Sequence, residues 1–181
     1  MAERDHHTVE IGDVQRELPL FEVAPGVRIA VFNLLGDTEV VEAAARGLAD
    51  KLDGLQHDAL VTAETKSVPL VYELARLLDK PWVVLRKAYK PYMGETISDE
   101  THSITTGAAQ TLHLDEKDQE LVHGHRVLLV DDVISTGSTV EAMRRLMERA
   151  GANVVAEAAV FTEGDTDKGD AITLGHLPLF E

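Results

Sequence analysis

Apolar residues recur along this chain in two rhythms, and the change from one to the other marks its elements. Val27 to Phe32 is nearly continuous and predicts a strand. From Val40 the spacing becomes helical: Val40, Val41, Ala44, Ala45, Leu48, Ala49 and Leu52 share a face, so a helix is expected through Lys51. Asp37 stands at its N-cap position, with Glu39 and Glu42 in the first turn, where the positive end of the helix dipole favours acids. Ala59 to Thr62 reads as a short buried strand, Val68 to Leu78 as a helix stopped before Pro81, and Trp82 to Leu85 as the next strand. Thr111 to Leu114 alternates weakly, as a return strand does. Arg126 to Val130 is the apolar run expected of a strand covered on both faces. Val140, Met143, Leu146, Met147 and Ala150 line one face of the following helix, with Gly151 as its C′ residue, and Val154 to Phe161 is the last long strand.

Two segments carry neither rhythm. Met1 to about Pro19 is polar and reads as an irregular N-terminal arm, mobile or packed against the body. Tyr92 to about Gln110 is rich in Gly, Ser and Thr, and residues 96–110 have the length and composition of a lid loop. Elsewhere strands alternate with helices, without repeats. That pattern predicts an α/β fold with a mainly parallel central sheet flanked by helices, in a single domain over residues 1–181. Such sheets bind ligands beyond the carboxyl ends of their strands.

Three predicted strand ends carry chemistry. Val130 runs into Asp131 and Asp132, then Ser135-Thr136-Gly137-Ser138-Thr139 and a helix. Ionised carboxylates only accept hydrogen bonds, which suits the hydroxyls of a ribose. Both can serve only if the strand ends there and the chain turns, because neighbouring strand residues face opposite ways. The hydroxyl-rich loop offers successive N–H groups and a helix N-terminus, an anion cradle in which Gly137 allows close approach. After Thr62 comes Ala63-Glu64-Thr65-Lys66-Ser67, again opening a helix. After Leu85 come Arg86, Lys87 and Lys90, three cations close together in an acidic chain.

Charge sharpens this picture. Lys plus Arg number 17 and Asp plus Glu 32, a net charge of −15, from an acidic solvated surface or adaptation to a salt-rich cytoplasm. Such a field repels nucleic acid and anionic membranes, so neither is expected as a partner. It repels phosphorylated ligands too, so the local excess of cations at Arg86 to Lys90 marks where a polyanion could be tolerated. No apolar run approaches the roughly 20 residues of a membrane span, and no signal-like apolar segment opens the chain. There are no cysteines. A cytoplasmic location is expected. His102, His113, His123, His125 and His176 show no metal-ligand spacing.

Together the three loops resemble those of type I phosphoribosyltransferases, in their purine, adenine phosphoribosyltransferase-like branch. Val127 to Thr139 is similar to that family's binding motif for phosphoribosyl diphosphate (PRPP). The likeness runs from about Pro25 to Phe180, through Pro25-Gly26-Val27, Val84-Leu85-Arg86-Lys87 with Lys90, Gly94-Glu95-Thr96 and Leu177-Pro178-Leu179-Phe180. The resemblance implies a Rossmann-like fold with a small hood and a flexible lid. It places Asp131 and Asp132 on the ribose hydroxyls, with Lys66 and Arg86 as their catalytic companions. It places Ser135, Thr136, Gly137, Ser138 and Thr139 around the 5′-phosphate. Glu64, Thr65, Lys66, Ser67, Arg86, Lys87 and Lys90 would surround pyrophosphate, in a loop often built on a non-proline cis peptide. Mg²⁺ would arrive with PRPP, without direct protein ligands unless Asp131 and Asp132 serve. A cytoplasmic homodimer acting in purine salvage is implied, with adenine the favoured acceptor.

Three departures stand out. Adenine-type enzymes usually carry Glu-x-Arg-Gly where this chain has Glu64-Thr65-Lys66-Ser67. Thr105-Thr106-Gly107 occupies the place of their lid acid and aromatic. Arg28 to Leu35 is about one residue short and lacks their Arg-Asp pair. Xanthine or hypoxanthine/guanine thus remain alternative acceptors, and a non-catalytic PRPP-binding regulator remains an alternative role.

Overall fold

The computed structural model describes residues 4–102, 109–165 and 169–181. The expectation of an irregular N-terminal arm is corrected. His6–Ile11 (β1) and Val14–Ala24 (β2) form an antiparallel hairpin that continues into Val27–Ala30 (β3) as a three-stranded sheet. The alternation that makes these strands is short. Val9 and Ile11 of β1 and Leu18 and Leu20 of β2 point inward and are buried, while the neighbouring Glu10 and Glu17 face out. Phe180, near the C-terminus, exchanges two backbone hydrogen bonds with Arg28 (2.7 and 2.9 Å), tying this hood to the end of the chain.

The body is built on a five-stranded sheet of Ala59–Ala63 (β4), Trp82–Leu85 (β5), Arg126–Ile134 (β8), Asn153–Glu163 (β9) and Ile172–Leu177 (β10). All neighbours are parallel, in the order β10-β9-β8-β4-β5. The chain therefore steps outward from β4 to β5 in one direction and from β8 to β9 and β10 in the other. The topological switch point lies between β4 and β8, where open α/β sheets bind ligands.

Helices Thr38–Lys51 (α1) and Val68–Leu78 (α2) pack on one side, with Leu60, Leu128 and Val130. Ser138–Arg149 (α4) packs on the other, with Ala59, Val61, Val127 and Leu129. Alternate residues of one strand thus bury into different layers, and that is why Ala59 to Val61 of β4 and Val127 to Val130 of β8 are apolar without a break. Asp37 caps α1 as expected, accepting the Val40 N–H at 3.2 Å.

Three elements exceed the sequence pattern. β8 continues through Asp131 and Asp132 to Ile134, because β9 runs alongside and pairs Asp131 with Ala159 and Val133 with Phe161. β10 carries polar and glycine positions that hide its rhythm. A Cβ at its Gly175 would lie 3.0 and 3.1 Å from the Phe161 ring, so any side chain there needs that ring to shift. The segment expected as a lid is largely an antiparallel ribbon, Ile97–His102 (β6) paired with Ala109–Leu114 (β7). Thr105-Thr106-Gly107 lie outside the described residues. A short helix, Gln119–Val122 (α3), leads into β8. Among the described residues no helix is long and apolar enough to cross a membrane.

Candidate functional site at the sheet switch point

Parallel pairing sets the ends of β5, β4 and β8 side by side, and each opens into one of the loops singled out above. The middle loop leaves β4 at Ala63, turns through a cis Glu64–Thr65 peptide and enters α2. Thr65 and Lys66 are exposed at its crest, while Ser67 is buried. The Ser67 hydroxyl lies 2.8 Å from the Thr62 hydroxyl, donates to the Ala63 carbonyl at 3.3 Å and reaches the Asp131 carboxylate at 3.4 Å. Of the pyrophosphate-loop residues, Ser67 therefore turns its side chain inward and stitches β4 to β8. What the loop presents outward is Thr65, Lys66 and backbone.

Glu64 faces the third loop. Its carboxylate accepts from Arg86 Nε at 2.8 Å and from the Lys87 N–H at 2.6 Å. Burial pushes the Glu64 carboxyl up, but the Lys87 N–H and the Arg86 guanidinium together outweigh it and hold the group below its ordinary range. The same contact keeps Arg86 firmly protonated. Arg86 is also fixed through its backbone, which exchanges hydrogen bonds of 2.9 and 2.8 Å with His113 of β7. Lys87 and Lys90 are exposed. Glu64 offsets part of Arg86's charge, so Lys66, Lys87 and Lys90 carry the positive potential of this corner.

On β8 the strand does not end at the acid pair, contrary to the condition stated from sequence. The two carboxyls nonetheless interact. Asp131 accepts the backbone N–H of Asp132 at 2.9 Å, and its carboxyl sits close enough to that of Asp132 to be perturbed by it. Burial first, and then the neighbouring negative charge, push Asp131 well above the ordinary carboxylate range. Two acids held together this way need hydroxyl donors or a cation to be fully ionised. That is the property a ribose with Mg²⁺ would satisfy. Among the described residues no cluster of three or more His, Asp or Glu side chains is placed to hold a metal ion.

Beyond Ile134 the loop turns at Gly137, whose φ of 82° is the left-handed conformation open to glycine, into α4. Thr136 and Ser138 hydroxyls lie 3.0 Å apart, and Ser138 donates its N–H to Thr136 Oγ1 at 3.4 Å. With Ser135 and Thr139 they surround the N-terminus of a twelve-residue helix. A cleft of about 600 Å³ opens beside Ser138, between α4 and the β6–β7 ribbon. Sequence reading missed Thr62, which holds Ser67, and His113, which holds Arg86. Thr62 lies on the strand just ahead of its loop and His113 on a strand distant in sequence from Arg86, and neither side chain's residue type or spacing announces the contact.

The fold and this corner define a Rossmann-like α/β protein with an acid pair and an anion cradle set against a cationic loop at the switch point. The chain belongs to the phosphoribosyl transferase domain family, whose model matches residues 34–172, and within it to the type I, adenine phosphoribosyltransferase-like group. It is 32% identical to the adenine phosphoribosyltransferase of Agathobacter rectalis over 80% of each chain. It is also 32% identical to the hypoxanthine/guanine phosphoribosyltransferase of Methanotorris igneus, over 89% of this chain and 80% of that one. The purine biosynthesis transcriptional repressor PurR of Bacillus subtilis is 30% identical over 73% of this chain, which spans 46% of that longer protein. The crystal structure of adenine phosphoribosyltransferase from Thermoanaerobacter pseudethanolicus shares the fold, with a TM-score of 0.68 at 22% identity over 95% of both chains.

Proposed function

We propose that this protein transfers the 5-phosphoribosyl group of PRPP to a purine base, adenine favoured, releasing the nucleoside monophosphate and pyrophosphate. The observation that carries the reading is the meeting of three loops at the switch point: Asp131-Asp132 and Ser135–Thr139 on β8, Glu64–Ser67 on β4, and Arg86–Lys90 on β5. Asp131 and Asp132 receive the 2′- and 3′-hydroxyls, and Ser135 to Thr139 take the 5′-phosphate at the helix N-terminus. Thr65, Lys66, Arg86, Lys87 and Lys90 take the pyrophosphate. Glu64 and Ser67 brace that arrangement from within.

The bond between the anomeric carbon and the pyrophosphate oxygen breaks as a purine nitrogen bonds to that carbon, and the nitrogen's proton passes to the departing pyrophosphate or to water. Lys66 and Arg86 stabilise charge that grows on the leaving oxygen, so catalysis is mainly positioning and electrostatics. Mg²⁺ bound with PRPP supplies further neutralisation of the diphosphate. A cytoplasmic homodimer is part of this reading.

The test is pyrophosphate release with PRPP, Mg²⁺ and, in turn, adenine, hypoxanthine, guanine and xanthine, with chelation of Mg²⁺ as a control. Turnover with adenine above the others supports the reading, and turnover only with another base reassigns the acceptor. A second reading, a PRPP-responsive regulator, is favoured by the likeness to the Bacillus subtilis repressor and by Lys66 replacing the family's Arg. It predicts PRPP-dependent thermal stabilisation without turnover on any base.

A further inference from the structure

Helix α4 carries the Ser135–Thr139 loop at its N-terminus and, further along, two arginines that reach across the 600 Å³ cleft to the β6–β7 ribbon. Arg145 Nε lies 2.9 Å from Asp99 Oδ2, and Arg145 Nη2 donates to the Glu100 carbonyl at 3.0 Å. Arg149 donates to the Ser98 carbonyl and lies 3.7 Å from Asp99 Oδ1. Glu141, one turn back on α4, steadies Arg145 at 3.2 Å. Asp99 is the shielded member, its side chain 18% exposed against 40% for Arg145.

At the other strand of the same ribbon, His113 of β7 is bridged by two backbone hydrogen bonds to Arg86. Leu112 and Leu114 pack into the same core as Val140, Met143 and Leu146 of α4. The ribbon is thus fastened at two places. One is the helix that begins at the phosphate cradle. The other is the strand end that bears the pyrophosphate-side cation.

We infer that Asp99, Arg145 and Arg149 form a clasp that positions the ribbon and, through His113 and Arg86, couples the 5′-phosphate half-site to the pyrophosphate half-site. They are positioning residues, because none of them borders Asp131 or the pyrophosphate loop. The inference rests on the PRPP reading above. An ionic clasp across an open cleft suits the task. Apolar packing at Leu112 and Leu114 fixes the base of the ribbon, and directional bonds at Ser98 to Glu100 set its inclination. A merely structural surface network would contribute little stability and would not respond to ligand.

The experiment is a double-mutant cycle of Asp99→Asn, Arg145→Gln and the pair, reading KM for PRPP and kcat. Hydrogen exchange at residues 97–100 and 110–114 is followed with and without PRPP and Mg²⁺. Each single change is expected to raise KM for PRPP roughly tenfold, with kcat altered less, and the pair no more than either alone. Arg145→Lys should recover part of the loss. PRPP should slow ribbon exchange in the parent and lose that effect in the variants. If the parent binds PRPP and all variants stay within about twofold in KM with unchanged ribbon exchange, the clasp is refuted while the PRPP reading stands. If both singles raise KM and the pair multiplies their effects, coupling through one clasp is refuted. If the parent neither binds nor turns over PRPP, the functional reading fails and the clasp's role fails with it.

Discussion

Replacing Asp131 by Asn should make the ligand-free protein more stable while abolishing its response to PRPP. In the folded protein burial and the Asp132 charge raise Asp131 from its ordinary value of 3.8 to well above the carboxylate range. In the unfolded chain that carboxyl ionises freely. Between these two values the folded state holds a proton that the unfolded state has lost, so stability falls as pH rises through that interval. At pH 6 the folded carboxyl is still mainly protonated, about two pH units above its unfolded midpoint, and each pH unit is worth about 1.4 kcal/mol. The cost of keeping Asp131 is therefore about 2–3 kcal/mol at pH 6. The amide oxygen of Asn can still accept the Asp132 N–H and the Ser67 hydroxyl that Asp131 Oδ1 now accepts. For a chain of this size the gain corresponds to roughly 5–10 °C in melting temperature. Melts of parent and variant across pH 4 to 7, with and without PRPP and Mg²⁺, test it. The gap should shrink to well under about 1 kcal/mol near pH 4, where the unfolded carboxyl approaches its own midpoint and regains much of its proton, and PRPP should stabilise the parent alone. A variant that melts below the parent at pH 6, or a gap that does not narrow toward pH 4, would refute the electrostatic account. A variant that keeps full PRPP stabilisation would refute the ribose assignment.

Other consequences are smaller in scope. Leu128→Ala, at a position with 0% exposure between the layers, should cost about 2–5 kcal/mol in denaturant unfolding, without changing the unfolding slope. Gly175→Ala forces a methyl against the Phe161 ring and should cost about 1–3 kcal/mol, and Phe161→Leu in the same chain should recover part of it. Arg86→Gln leaves Glu64 without its cation and removes charge at the leaving group, so kcat/KM should fall roughly 100-fold while the melt shifts far less. Asp58→Asn should lower stability at neutral pH, and the loss should shrink progressively as pH falls below the ordinary carboxylate range, because pairing with Arg126 holds the Asp58 carboxyl below that range in the folded protein.

The sheet strands that were legible in the sequence are those covered on both faces. Val127 to Val130 and Ala59 to Val61 are apolar without interruption because their alternate residues enter two different cores, and that constraint is local. Helices α1, α2 and α4 were legible for the same reason, each carrying one buried stripe. The hood hairpin was not, since only two inward positions per strand are buried and they are set among polar and charged residues and a proline. β10 was hidden by Gly175, a residue chosen for a neighbour's ring and not for its own strand.

Within the candidate site the same division holds. By itself the sequence determined which chemical groups stand toward the carboxyl ends of the strands: an acid pair, a hydroxyl- and N–H-rich turn, and a cationic loop. Such groups are spelled out in consecutive residues, so reading them requires no knowledge of distant partners. Only the tertiary structure decided that these loops meet. It did so through the strand order that puts β4 and β8 together, a fact about pairing that no single strand encodes. Tertiary structure also turned Ser67 inward onto Asp131, bound Glu64 to Arg86, and brought Asp99 to Arg145 across 46 residues. The repulsion between Asp131 and Asp132 is local, but the Ser67–Asp131 and Glu64–Arg86 contacts join residues far apart in the chain, and packing selects those pairs.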